Sequence, residues 1–150
     1  MRALLLRPAS AADADAVADV FLAARAGMTY LPALHTEEET RSWIAGVVLP
    51  GCSVTVAIEG TAVLGFSALD GDWLEHLYVR PDAHGRGIGT RLLAEAKATG
   101  PGELNLHTFQ RNARARRFYE RNGFAIVALS DGTANEEREP DIHYRWTRDA

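Results

Sequence analysis

Glycine stands at every second position from Gly85 to Gly89, in a run that reads His-Gly-Arg-Gly-Ile-Gly from residue 84. The run follows an apolar stretch, Trp73 to Pro81, and an amphipathic helix pattern begins at Ile88. Chain of this kind must turn tightly from an extended segment into a helix start. Glycine permits that turn, leaves the backbone N–H groups unshielded, and delivers them to a helix N-terminus whose first N–H groups have no internal partner. The product is an anion cradle. Two familiar phosphate motifs fail on spacing. A dinucleotide fingerprint starting at Gly85 needs glycine at position 90, which is Thr90, and no lysine follows these glycines as a P-loop requires.

The rest of the chain supplies the frame. Residues 3–7 suit a short first strand closed by Pro8, and Ser10 suits a helix N-cap with Asp13 and Asp15 in the first turn. Val17, Val20, Phe21 and Ala24 fall on one helical face, and Gly27 ends that helix. Thr36 and Glu39 form a capping-box pattern for a second helix, with Trp43, Ile44, Val47 and Val48 inward and Pro50-Gly51 as its stop. Val54–Ile58, Val63–Leu69 and Trp73–Val79 then read as an antiparallel meander joined by Glu59-Gly60-Thr61 and Asp70-Gly71-Asp72. A helix from Ile88 crosses over to a strand around Leu104–Thr108, which implies a parallel pair. A further helix carries Ala115, Phe118, Tyr119 and Asn122 on one face with Gly123 just past its end. Two last strands, near 124–129 and 141–147, bracket an acidic loop, Asp131 to Glu139.

At 150 residues this reads as one domain spanning 1–150, with no repeat or linker. The net charge of −4 gives no support for a nucleic-acid partner or an anionic membrane. A single cysteine, Cys52, precludes an intrachain disulfide and suits a reducing cytoplasm. The apolar run at Ala3–Leu6 is too short for a signal peptide, and no stretch approaches the roughly 20 apolar residues of a membrane span. The histidines at 35, 76, 84, 107 and 143 lack metal-ligand spacing, so no metal is expected.

His84–Gly89, led in by Leu77-Tyr78-Val79-Arg80-Pro81, resembles the Arg/Gln-x-x-Gly-x-Gly/Ala motif of the GNAT acyl-CoA-dependent N-acetyltransferases, with histidine at the first position. Asn112-Ala113-Arg114-Ala115-Arg116-Arg117-Phe118-Tyr119, followed by Gly123-Phe124, resembles that family's second signature. The opening Leu6-Arg7-Pro8-Ala9 before an Ala/Asp-rich helix is similar to its usual start. The specific match covers about residues 73–124, and elsewhere the element order agrees. The resemblance implies an α/β (α+β) fold: a mixed, mainly antiparallel sheet of about seven strands with helices on both faces, ordered β-α-α-β-β-β-α-β-α-β-β.

It also implies a chemistry. Backbone groups of Leu77, Tyr78 and Val79 would pair with the pantetheine arm of acetyl-CoA. The cradle of His84, Gly85, Arg86, Gly87, Ile88, Gly89 and Thr90 would hold the pyrophosphate. Asn112, Ala115, Phe118 and Tyr119 would complete the cofactor site, Asn112 being first of all a helix N-cap. An amine must lose a proton before it attacks a thioester. Glu75 is the proposed water-mediated base, on the same side of the fourth strand as Leu77 if alternation holds. His107 is an alternative base, with a hydrogen-bonded sheet histidine as its other reading. Tyr119 is the proposed acid to the departing thiolate. Of Arg111, Arg114, Arg116, Arg117 and Arg121, one or two would meet the adenosine phosphates. Tyr30, Glu136 and Glu137 would face the acceptor. The expected function is acetyl transfer to a small-molecule primary amine. The alternatives are a protein or peptide N-acetyltransferase and a non-catalytic acyl-CoA-binding module. An aminoacyl-tRNA acceptor is disfavoured by the acidic charge. A homodimer is compatible with this reading.

Overall fold

The computed structural model describes residues 3–149. Strand β1 (Leu4–Pro8) leads through a short turn, Ala11–Asp13, into helix α1 (Ala14–Ala26). Helix α2 (Glu37–Trp43) continues through a π-helical turn (Ile44–Val48) and a last turn (Leu49–Gly51). Strands β2 (Ser53–Glu59), β3 (Ala62–Asp70) and β4 (Trp73–Val79) follow. Then come α3 (Ile88–Thr99), β5 (Glu103–Phe109), α4 (Ala113–Arg121), β6 (Ala125–Ser130) and β7 (Asp141–Thr147). The seven strands form one sheet in the order β1-β2-β3-β4-β5-β7-β6. All neighbours are antiparallel except β4 and β5, as the helical crossover requires.

Helices cover both faces. On one, Val17, Val20 and Phe21 of α1 and Ile44 of the second helix close over Val56, Phe66 and Ala68. On the other, Leu93 and Ala96 of α3 and Tyr119 of α4 close over Leu74, Leu104, Leu106, Ile142 and Tyr144. Ile88 and Leu92 pack with Ala57 and Leu64 beside Leu4 and Leu6. Fully burying such aliphatic side chains contributes about 1.5–3 kcal/mol each, so these faces hold the helices to the sheet.

Three local readings change in the fold. Pro8 is the last residue of β1 and takes part in its pairing, opposite Thr55, as an edge strand tolerates. Trp43, though 36% exposed, lays its ring on Phe21 and His76 as expected, but Val47 is 59% exposed rather than inward. The π turn explains this: Leu49 N–H bonds to Ile44 O, so the extra residue rotates the apolar phase. Pro50 and Gly51 lie within the last turn, which ends at Gly51 as expected. Asp13 is a buried anchor as well as a first-turn acid. It accepts from Arg7 at 2.8 and 2.9 Å and from Ser10 N–H at 2.7 Å, which lowers its pKa to about 2. The Thr36–Glu39 capping box forms as expected, with bonds of 2.8 and 3.1 Å.

Candidate active site: a split sheet with two cavities

The parallel pair β4–β5 is joined at one position only, Trp73 opposite Asn105. Beyond it the two strands diverge, and a cleft of about 720 Å³ opens between them. Its wall includes Leu77, Tyr78 and Val79 of β4, then His84, Gly85, Gly87, Ile88, Gly89 and Thr90. Asn112, Ala115, Phe118 and Tyr119 of α4 form the opposite wall. Nearly all the residues expected to hold the cofactor therefore surround one cavity.

The cradle is built by backbone. Gly85 and Gly87 have φ of +82° and +77°, a region that L side chains enter at a cost of about 1–2 kcal/mol. A Cβ at either would meet nothing within 4 Å, so the glycines serve conformation and leave open space above the turn. The first helical bond runs from Arg91 N–H to Gly87 O at 3.1 Å, so the N–H groups before it stay free for a ligand. Arg86 is the exception among the expected residues: it pairs with Glu59 and stands outside the cleft wall. His84 does more than lend backbone, since its Nε2 lies 3.2 Å from the Val79 carbonyl at the end of β4. Arg114, Arg117 and Arg121 line the cleft from α4, whereas Arg111 pairs with Glu139 and Arg116 with the Gln110 carbonyl. A pyrophosphate fits the free N–H groups. Further phosphate charge fits the three arginines.

Tyr119 lies in the cleft wall on the buried face of α4, its ring packed edge-on against Phe118 and Phe124. Burial first, and then the neighbouring Tyr78, push its pKa far above the usual phenol value. It therefore stays protonated near neutral pH, as a donor must. Asn112 is the N-cap of α4, accepting from Ala115 N–H at 3.1 Å.

Glu75 is exposed and lines the cleft, but the alternation argument for it fails. His76 is opposite Ala68 while Leu74 is opposite Leu69, so Glu75 is the extra residue of a β-bulge. Leu74 and Leu77 consequently pack on the same face, three residues apart. The Glu75 charge is felt on the other face, where burial first, then Asp70 and Glu75, raise the Cys52 pKa. His107 is exposed, lines the cleft and is held by stacking on Trp73 at 5.0 Å.

A second cavity, about 820 Å³, lies beside the first and is walled by α1, the loop Thr29–His35, α2 and Glu136–Glu137. Met28 and His76 are the residues common to both walls. His76 packs against Phe21, Trp43, Phe66 and Tyr78. Burial first, then the Arg25 charge, lower its pKa to about 4, so the imidazole is neutral at pH 7. Sequence reasoning passed over His76 except as a poor metal ligand. Its one signal, alternation with Tyr78 on β4, is shared by any inward strand residue.

Of the expected acceptor contacts, Glu136 and Glu137 line this cavity, but each already has a partner. His35 lies 2.5 Å from Glu136, and Arg25 lies 3.0 Å from Glu137. Tyr30 is not in the wall; it packs on Phe109 behind it, with Arg111 over its ring at 5.7 Å. Five buried side-chain polar atoms among the described residues lack a hydrogen-bond partner: Arg25 Nε, Tyr30 Oη, His76 Nδ1, Thr108 Oγ1 and Glu139 Oε2. Glu139 Oε2 is 3.1 Å from Arg111 Nε, an ion pair without hydrogen-bond alignment. Of these, His76 lines both cavities, Thr108 the first and Arg25 the second, while Tyr30 and Glu139 line neither. Native folds leave few such atoms, so the three that line the cavities are places a ligand or water can complete.

No helix among the described residues is long and apolar enough to cross a membrane, and no group of three or more acidic, histidine or cysteine side chains could hold a metal ion.

A family model described as an acetyltransferase (GNAT) domain matches residues 41–126. The chain is similar to the peptidyl-lysine N-acetyltransferase YjaB of Salmonella typhimurium, at 32% identity over 84 residues, 55% of this chain and 57% of that protein. That match spans little more than half the relative's length. The chain is also similar to the L-amino acid N-acyltransferase MnaT of Escherichia coli, at 27% identity over 142 residues, 82% of this chain and 80% of that protein. Among solved structures, yncA of Salmonella typhimurium with its cofactor acetyl-CoA shares the fold. Its TM-score is 0.74 at 21% identity, covering 99% of this chain and 95% of that one.

Proposed function

The chain belongs to the GNAT acetyltransferase family, and from that premise we propose that it moves an acetyl group from acetyl-CoA to the primary amine of a small molecule. One observation carries this reading: a cleft with a pyrophosphate cradle at one end meets a second, ligand-sized cavity at His76. Acetyl-CoA supplies an activated thioester. The N–H groups around Gly85–Thr90, the open edge of β4 at Leu77–Val79, and Arg114, Arg117 and Arg121 hold it. The acceptor nitrogen forms the new N–C bond as the C–S bond breaks, the nitrogen gives up one proton, and the departing CoA thiolate takes one from solvent water. Glu75, exposed at the rim, takes the nitrogen's proton through water, and Tyr119 donates a hydrogen bond to the sulfur.

A cavity with walls on several sides favours a small acceptor over a protein surface. The peptidyl-lysine activity named for YjaB is the second reading, supported by that relative's 32% identity. For a homodimer, the surface available is the edge strand β6, with Ile126, Val127 and Leu129 at 46, 45 and 63% exposure.

Calorimetry tests the donor: acetyl-CoA should bind at micromolar concentration, and no binding would end the proposal. An acetyl-CoA-dependent screen of amines and peptides, read as free thiol, tests the acceptor. Turnover of peptides alone would replace the small-molecule reading.

A further inference from the structure

We propose that the second cavity takes a free amino acid with an apolar side chain, and that Arg25 holds its carboxylate. The inference rests on reading the chain as an amine acetyltransferase and names the acceptor class of that same site.

Arg25 comes from the last turn of α1 and lines the second cavity but not the acyl-CoA cleft. Its guanidinium is fixed between two rings, 5.2 Å from the Phe21 centroid and 5.7 Å from that of Phe109. Only one of its nitrogens bonds a carboxylate, Nη1 to Glu137 at 3.0 Å. Nε is buried and unpaired. A guanidinium presents five donors in a rigid fork, and beyond Glu137 at Nη1 only the neutral Tyr78 hydroxyl is placed to bond it, so an edge of the fork keeps free donors. The group that matches such an edge is a second carboxylate, bound through parallel N–H···O bonds.

Arg25 is the one arginine or lysine in the described wall of this cavity, and its carboxylates have partners of their own. The Glu136 carboxylate is occupied by His35 at 2.5 Å, and the Glu39 carboxylate by Thr36 N–H at 2.8 Å. Tyr30 Oη, the neighbouring orphan, adds a hydroxyl and no charge. Burial opposes the Arg25 charge, but Tyr78 and Glu137 favour it and the net shift is upward, so the cation persists.

The other walls suit the rest of an amino acid. Leu22, Leu31, Pro32, Leu34 and Trp43 form an apolar side for its side chain. His76 flanks the same Phe21 ring as Arg25 and borders the acyl-CoA cleft, so a nitrogen beside it faces the thioester end.

The test is acetyl-CoA-dependent thiol release with L-leucine, L-methionine and L-phenylalanine. Each is compared with its amide, its decarboxylated amine, and an N-terminally blocked lysine peptide. The free acids should exceed their amides by about 10- to 100-fold in kcat/KM. R25Q should bring that ratio toward one by raising KM for the acids, and R25K should restore part of it. Calorimetry with acetyl-CoA on each variant confirms an intact fold. Equal use of acids and amides by the unaltered protein overturns the inference, as does an unchanged ratio in R25Q. Acetyl-CoA binding with turnover of the lysine peptide alone removes the amino-acid acceptor and leaves the transferase. Absence of acetyl-CoA binding removes both.

Discussion

Replacing Tyr119 by Phe deletes one oxygen, and the structure says what that oxygen is for. The ring is 8% exposed and is packed among Phe118, Phe124 and Tyr144. None of that packing needs the hydroxyl. Stability should therefore change by no more than about 0.5 kcal/mol. Catalysis should change more. Burial raises the phenol pKa far above its ordinary value of about 10, whereas a free thiol titrates near 8.5. Complete proton transfer from phenol to thiolate is therefore uphill, and the useful contribution is a hydrogen bond to sulfur as its charge develops. A hydrogen bond to a charged group contributes about 1.5–3 kcal/mol, which is about a 10- to 150-fold loss in turnover. Because Tyr119 stays protonated, the loss should be the same at every pH from 7 to 9. The assay is thiol release at saturating acetyl-CoA across that range, with thermal unfolding of both proteins alongside. Unchanged turnover would refute the assignment. A loss that varies with pH would refute the permanently protonated donor.

Three other substitutions probe separate parts of the argument. Glu75→Gln should lower kcat about 100-fold, alter the pH–rate profile and keep acetyl-CoA affinity, and an unaltered profile takes Glu75 out of the proton path. His76 is held neutral with a folded pKa of about 4 against an ordinary 6.5. The unfolded chain thus binds the extra proton first, so the stability contributed by the neutral imidazole is complete above pH 6.5 and lost as pH falls toward 4. The change is of order 2–3 kcal/mol. Urea unfolding of wild type and His76→Gln should show a flatter acid limb in the variant, and parallel curves would contradict the burial argument. Gly132 has φ of +90°, and an added Cβ would sit 2.5 Å from the Glu139 carbonyl carbon. Gly132→Ala should cost about 2–3 kcal/mol in urea unfolding, and a cost below 0.5 kcal/mol would show that the loop re-forms freely.

The element order, the cradle and the N-caps at Thr36 and Asn112 were legible along the chain because each depends on residues close in sequence. Glycine spacing, capping side chains and apolar periods act over a few residues, so reading them needs no tertiary information. The same local logic failed at the bulge of β4 and the π turn of α2. One inserted residue shifts the phase of everything after it, and no residue type announces the insertion. The bulge moved Glu75 off the side shared with Leu77, and the π turn rotated Val47 outward.

Sequence alone determined that a glycine turn opening a helix follows the meander and that a helix carrying Tyr119 comes after it. Two motifs in order, each tied to backbone conformation, were enough to identify the family. Only the tertiary structure decided what lies beyond the cradle. The single β4–β5 pairing at Trp73 opens the cleft, and His76 joins it to a second cavity. That cavity draws Arg25, Glu137 and His76 from distant parts of the chain. Their grouping is set by how helices and loops pack on a split sheet, and such long-range packing leaves no periodic trace in the sequence.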